Sequence, residues 1–180
     1  MSHNKILGWF LILACIVCIQ SGCASPASKK AMITHAVQEA RQYNKTVSIK
    51  THGGQEIDGL GRSDISNSDF AAAIEESIIE NKLFTQVICG NGSDYLLNVA
   101  IVSISKPVFG GNFTVNMESG WTLTDQTNKK NVMRKSIKSS HTATMGQAFS
   151  GAKRLRLAVE GAARKNIQKG LMAISELQLE

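Results

Sequence analysis

Apolar residues follow several different rhythms along this chain, and each rhythm predicts its own element. From Ile6 to Ile19 they run unbroken, behind Lys5 and ahead of Ser21-Gly22-Cys23. Between Asn44 and Lys50, Val47 and Ile49 alternate with polar neighbours, the period of a half-buried strand. From Ser68 to Lys82 the period lengthens: Phe70, Ala73, Ile74, Ser77 and Ile78 recur at helical spacing while Glu75, Glu76 and Glu80 point away. An amphipathic helix is predicted there, begun by Ser66 and Asp69, which suit the free N–H groups and positive end of a helix. Leu83 and Phe84 close it into the core, and Val87-Ile88 fits a short strand.

After the turn Asn91-Gly92-Ser93-Asp94, the stretch Tyr95 to Ile104 is almost wholly apolar or β-branched, predicting a central strand covered on both sides at its middle. Phe113, Val115, Met117, Ser119, Trp121 and Leu123 then share one alternating face, a second long strand with a bulge expected at Ser119-Gly120. Asp125 to Lys130 reads as a hairpin turn, and Val132 to Thr144 as a third strand, polar enough to form a sheet edge. The last pattern, Gly151 to Leu177, is a long helix. Leu155, Val159, Ala162, Ala163, Asn166, Gly170, Ala173, Ile174 and Leu177 share one side, and Lys153, Arg154, Arg164, Lys165, Gln168 and Lys169 the other. Gly161 and Gly170 each cost about 1 kcal/mol against Ala in a helix interior, so a kink or close packing on the sheet is expected. Glu160 and Arg164 are spaced to pair. The order β-α-β-β-β-α predicts an α+β fold, an antiparallel sheet with helices packed on one face, over residues 44 to 180.

The leading apolar run has 14 residues. A membrane-spanning helix needs about 20, whereas a basic start, a short apolar core and small residues are the parts of an export signal. This segment resembles a bacterial lipoprotein signal: Ser21, Gly22 and Cys23 match the last three positions of the lipobox, while Gln20 stands where that family carries an aliphatic residue. The resemblance implies removal of residues 1 to 22 and acyl chains on Cys23. Ile12-Leu13-Ala14-Cys15 also fits, but cleavage there leaves an apolar core of about eight residues; unlipidated secretion to the periplasm is the other alternative. Ala24, where inner-membrane lipoproteins carry Asp, implies the outer membrane. Residues 23 to 43 are expected to be a flexible tether, with at most a short helix from Lys30.

Composition then narrows the chemistry. If, as the resemblance implies, Cys15 and Cys18 leave with the signal and Cys23 is acylated, Cys89 stands alone in an apolar stretch that favours burial. Residues 51 to 128 carry three basic and ten acidic side chains, whereas residues 129 to 169 carry eleven basic side chains and one acid, Glu160. Export makes nucleic acid an unsuitable partner for that basic block. The glycine-rich loop His52 to Ser66 lacks the motif of a nucleotide site. His35, His52 and His141 are far apart, with neither a metal-binding helix motif nor paired cysteines, and Asp58 and Asp64 lack the alternation of a calcium loop. With no Gly-x-Ser-x-Gly elbow either, no catalytic residue, metal, cofactor or small-molecule substrate is expected.

The segments Asp94 to Val99, Trp121 to Asp125 and Glu160 to Ile167, together with the signal, make the chain similar to small envelope lipoproteins of two-membrane bacteria. These include the auxiliary lipoproteins of transport systems and the TolB amino-terminal-like lipoproteins. The resemblance implies a non-catalytic accessory or scaffolding module on the periplasmic face, docking an envelope protein by its sheet edge or last helix. The competing expectation is an anion-binding module, with Lys153, Arg154, Arg164, Lys165 and Lys169 holding lipid, lipopolysaccharide or cell-wall polymer.

Overall fold

The computed structural model describes residues 26–35, 37, 41–54 and 65–179. The signal, Cys23, Asp58 and Asp64 lie outside these. In chain order the elements are α1 (Lys29–Met32), β1 (Tyr43–His52), α2 (Asn67–Glu80), β2 (Phe84–Val87), β3 (Tyr95–Ser105), β4 (Phe113–Asp125), β5 (Asn131–Ala143) and α3 (Gly151–Ser175). The strands form one sheet in the order β2-β1-β3-β4-β5. As the alternation along β3 and β4 requires, Leu97, Val99, Val115, Trp121 and Leu123 are buried on one face, beneath the helices.

The α+β architecture with its helices on one face follows the hydrophobic pattern, but the sheet is mixed where an antiparallel one was expected. Strands β3, β4 and β5 form an antiparallel meander, whereas β1 runs parallel to both β2 and β3. Parallel neighbours ordinarily need a crossover of a dozen or more residues. Helix α2 supplies one between β1 and β2. Between β2 and β3 no crossover is needed, because the two strands flank successive parts of β1: β2 pairs with Tyr43 to Val47, and β3 with Val47 to His52. The short loop after Val87 passes from one side of β1 to the other, held by Ser93 Oγ donating to Ser48 Oγ at 2.8 Å.

Strand β3 departs from expectation on its second face. Leu96, Asn98 and Ala100 are only half-buried and Val102 is exposed, so the strand is covered from one side and its apolar run continues onto the open face. The irregularity expected at Ser119-Gly120 lies across the ladder instead. Ile101 faces Ser119 and Ser103 faces Glu118, so Val102 is the extra residue. Strand β5 is an edge, as its polarity requires.

The segment expected to be a loose tether is partly docked. Ala27, Met32, Thr34 and Val37 are buried, Thr34 N–H donates to Ser77 Oγ at 3.0 Å, and Lys29 pairs with Glu76 at 3.3 Å. Polar composition concealed this, because the buried side chains are few and the backbone supplies much of the contact. Cys89 is exposed, contrary to its apolar surroundings, since Val87 and Ile88 are only half-buried at the sheet's short edge.

Candidate interaction site

The five basic residues singled out on the last helix do not form one surface. Ser150 stands at the start of α3, which runs 25 residues with an apolar side over β4 and β5. Arg154 lies at the boundary of that side and is buried. Its Nη1 donates to the Ala148 and Phe149 carbonyls, each at 2.9 Å, its Nη2 to the Gly110 carbonyl at 3.4 Å, and its guanidinium lies 4.8 Å from the centre of the Phe113 ring. It is therefore withdrawn from the expected arc: a planar cation with several donors has been used to gather loop carbonyls.

The other four are exposed, and three of them divide between two seams. Arg164 donates to the Ala31 carbonyl at 3.2 Å, on the α1 side. Lys165 and Lys169 reach the opposite way, to the Ser140 and Lys138 carbonyls of β5 at 3.1 and 2.8 Å. One turn apart on the helix, they cover an edge that would otherwise invite strand addition. Lys153 is exposed near the start of α3. Glu160 does not pair with Arg164 as its spacing suggested. Its buried carboxylate takes the Ser28 N–H at 3.0 Å, with Arg156 Nε 3.7 Å away. Arg156, absent from the expected arc, thus joins the α1 seam.

Close packing explains the two helix glycines. A methyl on Gly170 would lie 2.5 Å from Trp121 Cζ2, and one on Gly161 would overlap the His141 ring. Between them, Asn166 Oδ1 is 2.6 Å from Ser119 Oγ and 3.1 Å from Trp121 Nε1, and its Nδ2 donates to the Ile137 carbonyl at 3.0 Å. Burial, reinforced by the charges of Lys165 and Arg164, holds the His141 imidazole below its ordinary pKa. At the far end Tyr43 Oη lies 2.8 Å from both the Ile174 and Leu177 carbonyls and can donate its one proton to either. Burial raises the Tyr43 phenol, against the nearby Arg41 charge.

The charge blocks remain largely separate. Acidic α2 lies over β1 and β2 while basic α3 lies over β4 and β5, with α1 packed against both. Lys138 to Glu118, 3.5 Å, is an ion pair that joins the two blocks across the open face. The flank made by β5 and α3 thus presents Lys135, Lys138, Lys165 and Lys169 to solvent.

Grooves also open elsewhere among the described residues. One, of about 590 Å³, is lined by Ser48, Lys50, Leu96, Lys129 and the loop Gly90 to Asp94. Its Asp94 accepts both the N–H and hydroxyl of Thr46, at 2.7 and 2.8 Å, which hold that carboxyl below its usual range. Another, about 520 Å³, runs beside β2 with Ile79 and Lys82. Among the described residues no group of His, Cys, Asp and Glu is placed to hold a metal ion, and no helix is long and apolar enough to cross a membrane.

No family model and no curated protein matches the chain. Solved structures do share its fold. Protein XCC0632 from Xanthomonas campestris, of the family DUF330, superposes with a TM-score of 0.59 at 8% identity, covering 76% of this chain and 87% of that one. The hypothetical protein CT253 from Chlamydia trachomatis gives 0.53 at 8% identity over 74% and 96% of the two chains. A minor lipoprotein from Acinetobacter baumannii gives 0.50 at 8% identity over 73% and 93%. At these identities the likeness is one of fold.

Proposed function

We propose that the protein is a non-catalytic lipoprotein of the cell envelope, held at the periplasmic face of the outer membrane by acyl chains on Cys23 and serving as an accessory module that docks a larger envelope protein. One observation carries this reading: the folded body begins immediately behind the lipobox-like cysteine, with Ala27 buried and Ser28 bonded to Glu160. A leader followed at once by a docked segment suits a chain whose new first residue is its anchor. Two or three buried acyl chains bind a bilayer firmly where one binds it marginally. That the same fold occurs in a protein named as a minor lipoprotein supports the reading.

The anchor raises the effective concentration of a membrane partner. The basic flank of β5 and α3 is the surface such a partner would meet. The anion-binding alternative loses Arg154 to the interior and finds Lys165 and Lys169 already donating to strand carbonyls. Protein docking is therefore the reading the geometry favours. The test is Cys23→Ser, followed by fractionation and intact mass. The native chain should sediment with membranes and begin at an acylated Cys23, and the variant should appear in the soluble periplasmic fraction. Unchanged fractionation and mass would overturn the anchor.

A further inference from the structure

One end of the molecule carries large apolar side chains that nothing among the described residues covers. Val108 and Phe109, in the loop between β3 and β4, are 91% and 87% exposed; Phe149 and Met145, between β5 and α3, are 91% and 52% exposed. Both loops leave the sheet at the same place, where Phe113 of β4 pairs with Ala143 of β5. Arg154 binds them into one body by donating to Gly110 in the first and to Ala148 and Phe149 in the second. Gly111 also sits so close to Met145 that an added methyl would lie 3.2 Å from its sulfur. The tips are thus mounted on a fixed frame, and contiguous exposed apolar surface of this kind marks a site of contact.

We propose that this end rests on the lipid bilayer, with Val108, Phe109, Met145 and Phe149 inserted at the headgroup boundary. The inference builds on the lipid anchor at Cys23, and the position of the anchor favours lipid as the occupant. Stepping back from Ala31 to Ser28, the contacts on α3 move from Arg164 to Glu160, toward the start of that helix. Glu160 lies nine residues from Gly151, a rise of about 13.5 Å. The four residues from Cys23 to buried Ala27 can span about 14 Å when extended. The acylated cysteine is therefore within reach of the plane of the apolar tips, so chain and loops can enter one membrane surface together. Exposed Lys153 flanks the tips, as suits contact with anionic headgroups. The opposite end, the turn Gln126 to Lys130, is polar and carries no such tips.

The experiment uses the full chain, processed in cells and reconstituted into vesicles of phosphatidylethanolamine and phosphatidylglycerol, with and without doxyl-labelled acyl chains. Phe109→Trp and Phe149→Trp report from the apolar end, and Thr127→Trp from the opposite one. Native Trp121 is wholly buried and gives a constant background. In sedimented protein, tryptophan at 109 or 149 should emit at shorter wavelength than in detergent-free buffer and be quenched several-fold more by doxyl lipid than tryptophan at 127. Sedimentation with water-exposed emission at 109 and 149 would overturn the orientation while leaving the anchor intact. Loss of sedimentation itself would overturn the anchor and this inference with it.

Discussion

Helices α2 and α3 lie on the same face of one sheet, yet they meet it by opposite means. Acidic α2 fills the space over β1 and β2 with Phe70, Ile74 and Ile78, all fully buried. Basic α3 also buries Ile167, Leu171 and Ile174, but at Gly161 and Gly170 it withdraws its side chains, and there His141 and Trp121 rise from the sheet to meet it. Both arrangements reach close packing, but at Phe70 the side chain that must not change is large and at Gly170 it is absent. The largest break in this comparison is therefore Phe70→Ala, expected to lower unfolding free energy by about 3–5 kcal/mol through lost transfer energy and a cavity. Gly170→Ala should lower it by about 1–3 kcal/mol, although Ala gains about 1 kcal/mol of helix propensity, because the added methyl meets a buried indole fixed by Asn166. Urea unfolding of both variants measures the pair. A stabilised Gly170→Ala would show that α3 has room to withdraw from the sheet.

The same contrast marks what the sequence could disclose. Helix α2 declares itself through the spacing of its large apolar residues, and β4 through strict alternation from Phe113 to Leu123. Close packing at Gly170 was a stated alternative to a kink, but its partner Trp121, some fifty positions earlier, is visible only in three dimensions. Parallel pairing of β1 with β3 was hidden because a short connection ordinarily signals a hairpin, and nothing local reveals that β2 and β3 share β1 end to end. Charge pattern was the least reliable guide to the candidate site. Arg154 and Lys153 are adjacent, yet one gathers loop carbonyls in the interior and the other faces solvent, a difference set by about 100° of helical turn. The apolar tips at Phe109 and Phe149 lack periodicity, so they read simply as loop.

Helix starts sharpen the comparison at a smaller scale. Ser66 Oγ accepts the Asp69 N–H at 3.0 Å and donates to its carboxylate at 2.8 Å, closing the first turn of α2. Ser150 occupies the equivalent place on α3 but makes no such bond from its side chain. Ser66→Ala should therefore cost about 1 kcal/mol, and Ser150→Ala only a few tenths. Equal losses in thermal unfolding would mean that the cap geometry does not distinguish the two helices.

The smallest effect belongs to the half-buried group that meets α3 where Gly161 leaves room. His141 is held below its unfolded pKa of 6.5 by burial first and by Lys165 and Arg164 second. Its neutral form is thus favoured in the folded chain, and the associated stability is fully present above about pH 6.5. As pH falls below that value the unfolded chain takes up a proton more readily than the folded one, and stability is lost until the folded imidazole is also protonated. Asp94, lowered by its bonds to Thr46, acts below the usual carboxylate pKa of 3.8, outside the range from pH 7.5 to 5. Thermal midpoints measured from pH 7.5 to 5 should fall in the native chain and fall less in His141→Gln. Parallel curves would assign the decline to other groups and show that the opening over Gly161 accommodates imidazole and imidazolium alike.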